Sequence, residues 1–148
     1  MLNTILVALD SSELSEQVIQ TLKQLQLGAD ANVILSHVVP TATANPDLEV
    51  DRSTTSTELL TYRNLEKQLQ AYQDKLPCQS QLELVSGDPA EEIIRLANIY
   101  QADLIVIGNR GLTGLNRILQ GSVSSQVVSD APCSVLVVKP KAEKQPVE

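Results

Sequence analysis

Aromatic side chains are almost absent from this sequence: three of its 148 residues are Tyr, and none is Phe or Trp. The core must therefore be built from Val, Ile, Leu and Ala. Basic residues are also few, with 11 Lys and Arg against 18 Asp and Glu, which gives a formal net charge of −7. Because such a surface repels phosphate backbones and no basic cluster is interleaved with aromatics, we expect no binding to nucleic acid.

Long hydrophobic runs are missing too. The longest, such as Ile5 to Leu9 and Val135 to Val138, fall far short of the roughly 20 residues that a membrane-spanning helix needs. The first residues lack the basic region and the small-residue cleavage site that are typical of a signal peptide. We therefore expect neither membrane insertion nor secretion, and a cytoplasmic location.

Cysteine and histidine are equally scarce. The chain has two cysteines, Cys78 and Cys133, no CxxC pair, and one histidine, His37. Two isolated cysteines are typical of reduced cytosolic thiols, so we expect no disulfide, and we interpret Cys133 as buried rather than reactive. Zinc clusters need three or four ligands, which excludes structural zinc. His37 lies in a predicted strand, and no Ser or Cys is an evident nucleophile for it to activate. We therefore interpret His37 as a structural residue.

The sequence does contain a regular alternation of short β-branched segments and longer segments of helical period. The predicted strands are Thr4 to Leu9, Val33 to Val39, Leu82 to Val85, Leu104 to Ile107 and Val135 to Val138. A helix is predicted between each strand and the next. Gly28 is expected to end the first helix, and Pro89 to be the first residue of the third. Residues 40–56 lack periodicity and predict a loop that could act as a lid.

Strict alternation with right-handed crossovers predicts an α/β fold, a three-layer α/β/α sandwich around a five-stranded parallel sheet of order 3-2-1-4-5. We expect one domain, residues 1–140, followed by a flexible tail at 141–148. In this order the first and fourth strands are neighbours where the strand order reverses. Ligands of open α/β sheets bind outside the carboxyl ends of the strands at such a point. The sequence therefore predicts a site near Asp10 and Gly108.

Glycines are concentrated after the fourth predicted strand. Residues 108 to 122 read GNRGLTGLNRILQGS and hold four of the six glycines in the chain. Without a Cβ, such a backbone can form a nest of N–H groups that a phosphate approaches closely, and an adjoining helix N-terminus adds partial positive charge. No Gly-Lys pair of a P-loop is present, and Gly108 and Gly111 are too far apart for the GxGxxG dinucleotide fingerprint. The pattern predicts a different kind of phosphate site.

Several motifs together resemble the ATP-binding subgroup of the universal stress protein family. They are Gly108-xx-Gly111 followed after nine residues by Gly121-Ser122, the strand endings ILVALD and ILSHVV, the turn GDPAEEI, and the closing GSVSSQVVSDAPCSVLVVK. The resemblance covers nearly the whole chain. It implies a Rossmann-like fold of the adenine nucleotide α-hydrolase type and an ATP ligand with a divalent cation, Mg or Mn.

The resemblance also implies roles for particular residues. Asp10 and the backbone of Ala8 and Leu9 match residues that flank adenine and ribose, and Val38 matches the position whose main chain recognises the adenine edge. The ribose and phosphate loop corresponds to Gly108, Asn109, Arg110 and Gly111. The segment that holds the phosphate chain corresponds to Gly121, Ser122, Val123 and Ser124. Ser134 stands where the family usually has a proline, a departure outside the nucleotide site.

Each of these residues also has a plainer interpretation. The glycines can simply form a tight turn into a helix, and an Asp at a strand end, such as Asp10, is commonly a helix cap. Arg110 and Arg117 can neutralise phosphate or lie solvated in a loop. The coincidence of the glycines with Asp10, Ser122 and Ser124 across one predicted crevice favours the nucleotide site.

The resulting interpretation is a nucleotide-dependent sensor or regulator of the stress response that has a protein partner. No lysine or paired carboxylate joins Asp10, so we expect at most slow ATP hydrolysis. Three alternatives stay open: a binder of AMP or cyclic AMP, an interaction module without nucleotide, and a flavodoxin-like electron carrier. The apolar segment Val135 to Val138 should lie at an open sheet edge, so we expect a homodimer through the fifth strands, as the resemblance also implies.

Overall fold

The computed structural model describes residues 2–9, 14–40, 53–108 and 122–139, and the structural statements below concern these residues. Strands and helices alternate along them: β1 Thr4–Ala8, α1 Leu14–Gln24, β2 Asn32–Pro40, α2 Ser53–Asp74, β3 Gln79–Gly87, α3 Pro89–Tyr100, β4 Leu104–Gly108, α4 Ser122–Asp130 and β5 Ser134–Val138. The strands form one parallel sheet in the order β3-β2-β1-β4-β5. The predicted fold class and strand order are confirmed.

Both faces of the sheet are covered by aliphatic side chains, as the composition predicts. On one face Ile5, Val7 and the β2 residue Leu35 pack with apolar residues of α1 and α2. On the other face Leu6 and Ile34 pack with apolar residues of α3 and α4. Full burial of one such side chain is worth roughly 1.5–3 kcal/mol, so the central strands hold the three layers together.

The end of the first helix differs from the prediction. Helix α1 ends at Gln24, and the left-handed residue that follows is Gln26, with φ 52°. Gly28 has no positive φ, and a Cβ added there would meet no atom within 4 Å. The prediction that Gly28 ends the helix is wrong because the chain turns earlier, where Leu25 N–H donates to the carbonyls of Thr21 and Leu22 at 3.2 and 3.1 Å.

Two other boundaries differ for a shared reason. Strand β3 runs over nine residues, not only Leu82 to Val85, because its polar residues pair with β2 as far as Asn32↔Gln79. The predicted loop of 40–56 is too long, since Pro40 belongs to β2 and helix α2 begins at Ser53. Polar segments such as these have no hydrophobic periodicity, so the sequence pattern does not show where main-chain hydrogen bonds extend a strand or a helix. The rest of the predicted lid lies outside the described residues.

Helix α3 begins as predicted, with Pro89 as its first residue. Asp88 is its N-cap, and the Asp88 Oδ2 accepts a hydrogen bond from Glu91 N–H at 3.0 Å. The preceding Gly87 has φ +148°, a region that residues with a Cβ rarely adopt. A Cβ at this position would lie 2.9 Å from Glu92 Cγ. Gly87 therefore makes the tight exit from β3 possible.

Substitution of this glycine should destabilise the fold. We expect Gly87→Ala to lower the free energy of unfolding by about 1–3 kcal/mol, because alanine must adopt a strained backbone conformation. Gly28→Ala is the matched control, since its Cβ enters open space, and it should leave stability unchanged or slightly raised. Urea unfolding midpoints measure both. Equal midpoints for the two variants would contradict this role for Gly87.

Asp103 ties the starts of two strands together at the amino edge of the sheet. The Asp103 Oδ2 accepts hydrogen bonds from the N–H groups of Asn3 at 3.0 Å and Thr4 at 2.9 Å. The Asp103 N–H donates to the Thr4 carbonyl at 2.8 Å. The two accepted N–H bonds, from Thr4 and then Asn3, lower the pKa of the Asp103 carboxyl below its ordinary value.

This lowered pKa predicts a pH dependence of stability. A carboxyl whose pKa is depressed on folding contributes stability above its unfolded pKa and loses it as the pH falls through the folded pKa. We expect Asp103→Asn to be less stable than the original chain at pH 6, and the difference to shrink as acid removes the charge from Asp103. Urea midpoints of both proteins from pH 6 down to pH 2.5 measure this difference. A difference that stays constant over that range would contradict the assignment.

Candidate functional site

The site is built around the carboxyl ends of β1 and β4. These strands are neighbours in the sheet, and Ala8 pairs with Ile107 at their upper ends. The chain continues from β1 to β2 and β3 on one side, and from β4 to β5 on the other. The strand order therefore reverses between β1 and β4, and the crevice outside their ends is where open α/β sheets bind ligands.

Strand β2 extends past the end of β1. The pairing of the two strands ends at Ala8↔Ser36, whereas β2 continues to Pro40 alongside β3. At the amino end Asn32 N–H donates to the Asn3 carbonyl at 2.7 Å, and at the carboxyl end Leu9 N–H donates to the Ser36 carbonyl at 2.8 Å. The even-numbered residues of β2 thus direct their main-chain groups toward β1, because N–H and C=O alternate sides along a parallel strand.

This alternation gives Val38 a particular place. As an even-numbered residue it directs its N–H and C=O toward the β1 side, above the last β1–β2 pair. Pro40 is also an even-numbered residue of β2. Its missing N–H costs no hydrogen bond to β3, because the odd-numbered residues of β2 make the bonds to that strand. The Val38 side chain is buried against the α3 and α4 face. The main chain of Val38 therefore presents one donor and one acceptor at the rim of the crevice.

Leu9 directly follows β1, and both of its main-chain groups make hydrogen bonds. Its N–H donates to the Ser36 carbonyl, and its carbonyl lies 2.7 Å from Nδ1 of the buried His37 ring. Because a carbonyl only accepts, Nδ1 carries the hydrogen. The Leu9 side chain packs on the α1 and α2 face. A ligand would meet Leu9 through packing, since its amide and carbonyl already have protein partners.

Helix α4 contributes its N-terminus to the same edge. Three residues separate Asp130 at its end from Ser134 at the start of β5, so the C-terminus of α4 lies at the amino edge of the sheet. The opposite end, which begins at Ser122, therefore lies at the carboxyl edge. Val127 is fully buried and anchors the helix, and Ser124 is 7% exposed. The partial positive charge of a helix N-terminus favours an anion there.

The structure brings some of the predicted site residues together and leaves others aside. Ala8, Val38 and Val123 lie in or against the same apolar cluster on the α3 and α4 side of the sheet. Gly108 is the last residue of β4, opposite Val138 of β5. The remaining predicted site residues lie outside the described residues: Asp10, Asn109, Arg110, Gly111 and Gly121.

The interpretation of His37 as a structural residue is confirmed by its burial and its hydrogen bond. Its partner, the Leu9 carbonyl 28 residues earlier, was not predicted. Ser36 was also missed, although its buried hydroxyl donates to the Val7 carbonyl at 2.8 Å. The signal for both was two polar residues inside an apolar strand, which marks buried side chains that need hydrogen-bond partners.

The two thiols have no part in this site. Both cysteines are free, and Cys78 packs on one face of the sheet while Cys133 packs on the other, at opposite edges. Five strands about 4.8 Å apart hold these edges roughly 19 Å from each other, well beyond the reach of a disulfide. Both cysteines are only partly buried, so the prediction that Cys133 is buried is wrong in degree. This partial burial raises the pKa of each thiol, so both are protonated at neutral pH.

Two further properties follow from the side chains and helices of the described ranges. They contain no group of three His, Cys, Asp or Glu placed to hold a metal ion. None of their helices combines the length and the apolar character needed to cross a membrane.

A parallel sheet of this order, with its reversal between β1 and β4, defines a Rossmann-like α/β protein. The sequence model named "Universal stress protein family" matches residues 1–139, and the chain belongs to that family. Universal stress protein Sll1388 of Synechocystis is 29% identical over 150 residues, covering 91% of this chain and 96% of that protein. MJ0531 of Methanocaldococcus jannaschii is 55% identical over 62 residues, and the match covers 41% of this chain and about a third (36%) of that relative's length.

Solved structures share the fold over nearly the whole chain. The protein MJ0577, also from Methanocaldococcus jannaschii, has a TM-score of 0.81 and 27% identity, covering 97% of this chain and 99% of that one. A universal stress protein in complex with cAMP has a TM-score of 0.64 and 22% identity, covering 93% and 97%. An AMP-bound family member from Arabidopsis thaliana has a TM-score of 0.63 and 20% identity, covering 97% and 96%.

Proposed function

We propose that this chain is an ATP-binding universal stress protein that acts as a nucleotide-dependent regulator in the cytoplasm. The observation that supports this function best is the main chain of Val38. Its donor and acceptor face the crevice at the switch point, above the last pair of β1 and β2. This is the position where a planar base with a complementary edge would lie.

Adenine has such an edge. Its N1 accepts a hydrogen bond, and the amino group on the adjacent carbon donates one, which complements one N–H and one C=O of a single residue. Guanine and hypoxanthine carry a donor at N1 and an acceptor at the neighbouring position, so the same main chain would meet like groups. The apolar cluster with Ala8, Val38 and Val123 supplies packing for the base. The proposed site is therefore selective for adenine.

The phosphates would extend toward α4. Its N-terminus at Ser122 lies at the same edge as the ends of β1 and β4, and the predicted loop of Gly108, Asn109, Arg110 and Gly111 leads toward Gly121. Main-chain N–H groups, together with Ser122 and Ser124, would hold the phosphate chain despite the net charge of −7. The divalent cation, Mg or Mn, would be coordinated by the phosphates, because the described residues contain no cluster of metal ligands of their own.

AMP and cyclic AMP are the principal competitors for this assignment. Two proteins of this fold carry AMP and cAMP at 20% and 22% identity, and both ligands share adenine and ribose with ATP. The Gly108-xx-Gly111 spacing with Gly121-Ser122 favours a ligand with a longer phosphate chain. The electron-carrier alternative does not fit, since flavodoxins have the sheet order 2-1-3-4-5 and this chain has β3-β2-β1-β4-β5.

Isothermal titration with Mg-ATP, Mn-ATP, AMP, cyclic AMP and Mg-ITP tests the proposal. We expect ATP to bind more tightly than AMP and cyclic AMP, ITP to bind weakly, and released phosphate to accumulate slowly or not at all. A saturating ATP concentration of 100 times Kd should stabilise the fold by about 2.7 kcal/mol. Absence of both heat and thermal stabilisation at millimolar nucleotide would favour an interaction module without nucleotide.

A further inference from the structure

His37 occupies the point where the β1–β2 ladder stops. Pairing of the two strands runs from Thr4↔Asn32 to Ala8↔Ser36, and the last main-chain bond of the series joins Leu9 N–H to the Ser36 carbonyl. In a parallel ladder the next bond would run from the N–H of Val38 to the carbonyl of Leu9. Among the described residues, that carbonyl instead has the His37 Nδ1 as its partner, at 2.7 Å.

The neighbouring serine makes a different kind of contact. Ser36 also donates from its side chain to a β1 carbonyl, that of Val7, but this carbonyl lies within the paired part of the strand. The Ser36 bond therefore adds to the ladder, whereas the His37 bond replaces its next step. Both side chains are buried, and they lie on consecutive residues of the same strand. Of these two side chains, the histidine is the one that acts at the boundary between the sheet and the crevice.

We propose that His37 is a positioning residue for adenine recognition. Its imidazole donates a hydrogen bond to the Leu9 carbonyl. Because this carbonyl is occupied, the Val38 N–H stays available to the base. The same bond fixes the chain where it leaves β1. The inference rests on the proposed nucleotide site and adds to it the reason why the adenine-reading main chain is not consumed by the sheet. Base selectivity therefore depends on a side chain that does not touch the nucleotide.

The first experiment compares ATP with ITP in three variants. His37→Leu keeps the bulk of the side chain and removes the donor, His37→Asn keeps a donor near the position of Nδ1, and Ser36→Ala removes the neighbouring bond as the matched control. We expect His37→Leu to lower the ratio of ATP to ITP affinity by about 10-fold. His37→Asn should restore the ratio to within about 3-fold of the original chain. Ser36→Ala should lower the melting temperature and leave the ratio unchanged.

The second experiment needs no variant and keeps the inference testable if His37→Leu does not fold. Amide hydrogen exchange in the free protein should be much faster at Val38 than at Val39, whose N–H faces β3. Addition of ATP should slow exchange at Val38. Equal protection of the two amides before ATP is added would overturn the proposal, as would equal ATP to ITP ratios for His37→Leu and Ser36→Ala.

These outcomes separate the inference from the function on which it rests. If the original chain binds neither ATP nor ITP, the proposed nucleotide site is wrong, whereas the exchange rates still report whether His37 ends the ladder. If the original chain prefers ATP and His37→Leu keeps that preference, the nucleotide site stands and the role of His37 is wrong.

Discussion

Replacement of Val38 by proline should weaken ATP binding by about 10- to 100-fold while the sheet stays intact. Proline removes the N–H that Val38 directs toward the crevice, and a buried hydrogen bond with an unsatisfied partner is worth about 1–3 kcal/mol. The ladder to β3 uses the odd-numbered residues of β2 and keeps all its bonds. Isothermal titration gives the affinity, and urea unfolding gives the stability.

Two controls make this result specific. Val38→Ala truncates the buried side chain and keeps the N–H. It should therefore lower the free energy of unfolding and have little effect on the preference for adenine. Val39→Pro removes an N–H directed at β3 and should show the opposite pattern to Val38→Pro, with a lower free energy of unfolding. If Val38→Pro binds ATP as the original chain does, adenine is read by other groups and the placement of the base is wrong.

The central part of the fold could be predicted from the sequence because burial dictates it. Strands that are covered on both faces must be continuous apolar runs, and Ile5 to Val7 and Val33 to Leu35 read that way. The start of α3 could also be predicted, because the Asp88 cap and Pro89 act through local geometry. These features depend on a few adjacent residues, which a single sequence contains.

Features that depend on distant partners could not be predicted. Polar residues such as Gln79 join β3 because β2 offers its main chain beside them, and the first helix turns at Gln26 although Gly28 follows. The bond between His37 and the Leu9 carbonyl depends on the register of two strands. For the site itself, the sequence indicated Val38 through family resemblance, whereas the direction of its main chain came from hydrogen bonds at both ends of β2.

The same alternation of main-chain groups applies at the other edge of the sheet. The Asn3 carbonyl and the Leu9 N–H face β2, so the even-numbered residues of β1 face β4. In the pairing Ile5↔Leu104 the main chain of Leu104 therefore faces β1, and that of the next residue, Ile105, faces β5. The Ile105 groups bond to the neighbours of its partner Val135, so the main-chain groups of Val135 and Val137 point to the open edge.

Replacement of Val137 by proline should therefore separate the homodimer that we propose to form through β5. A two-fold axis pairs the strands antiparallel, and the outward N–H of Val137 donates across the interface. We expect light scattering to give twice 16.0 kDa for the original chain at micromolar concentration and 16.0 kDa for Val137→Pro. Val137→Ala, which loses the partly buried side chain and keeps the N–H, and Ser134→Pro, at the strand's first residue, whose main chain faces β4, should both remain dimeric. A single subunit mass for the original chain would contradict the interface, and a dimeric Val137→Pro would show that side chains rather than main-chain pairing hold it.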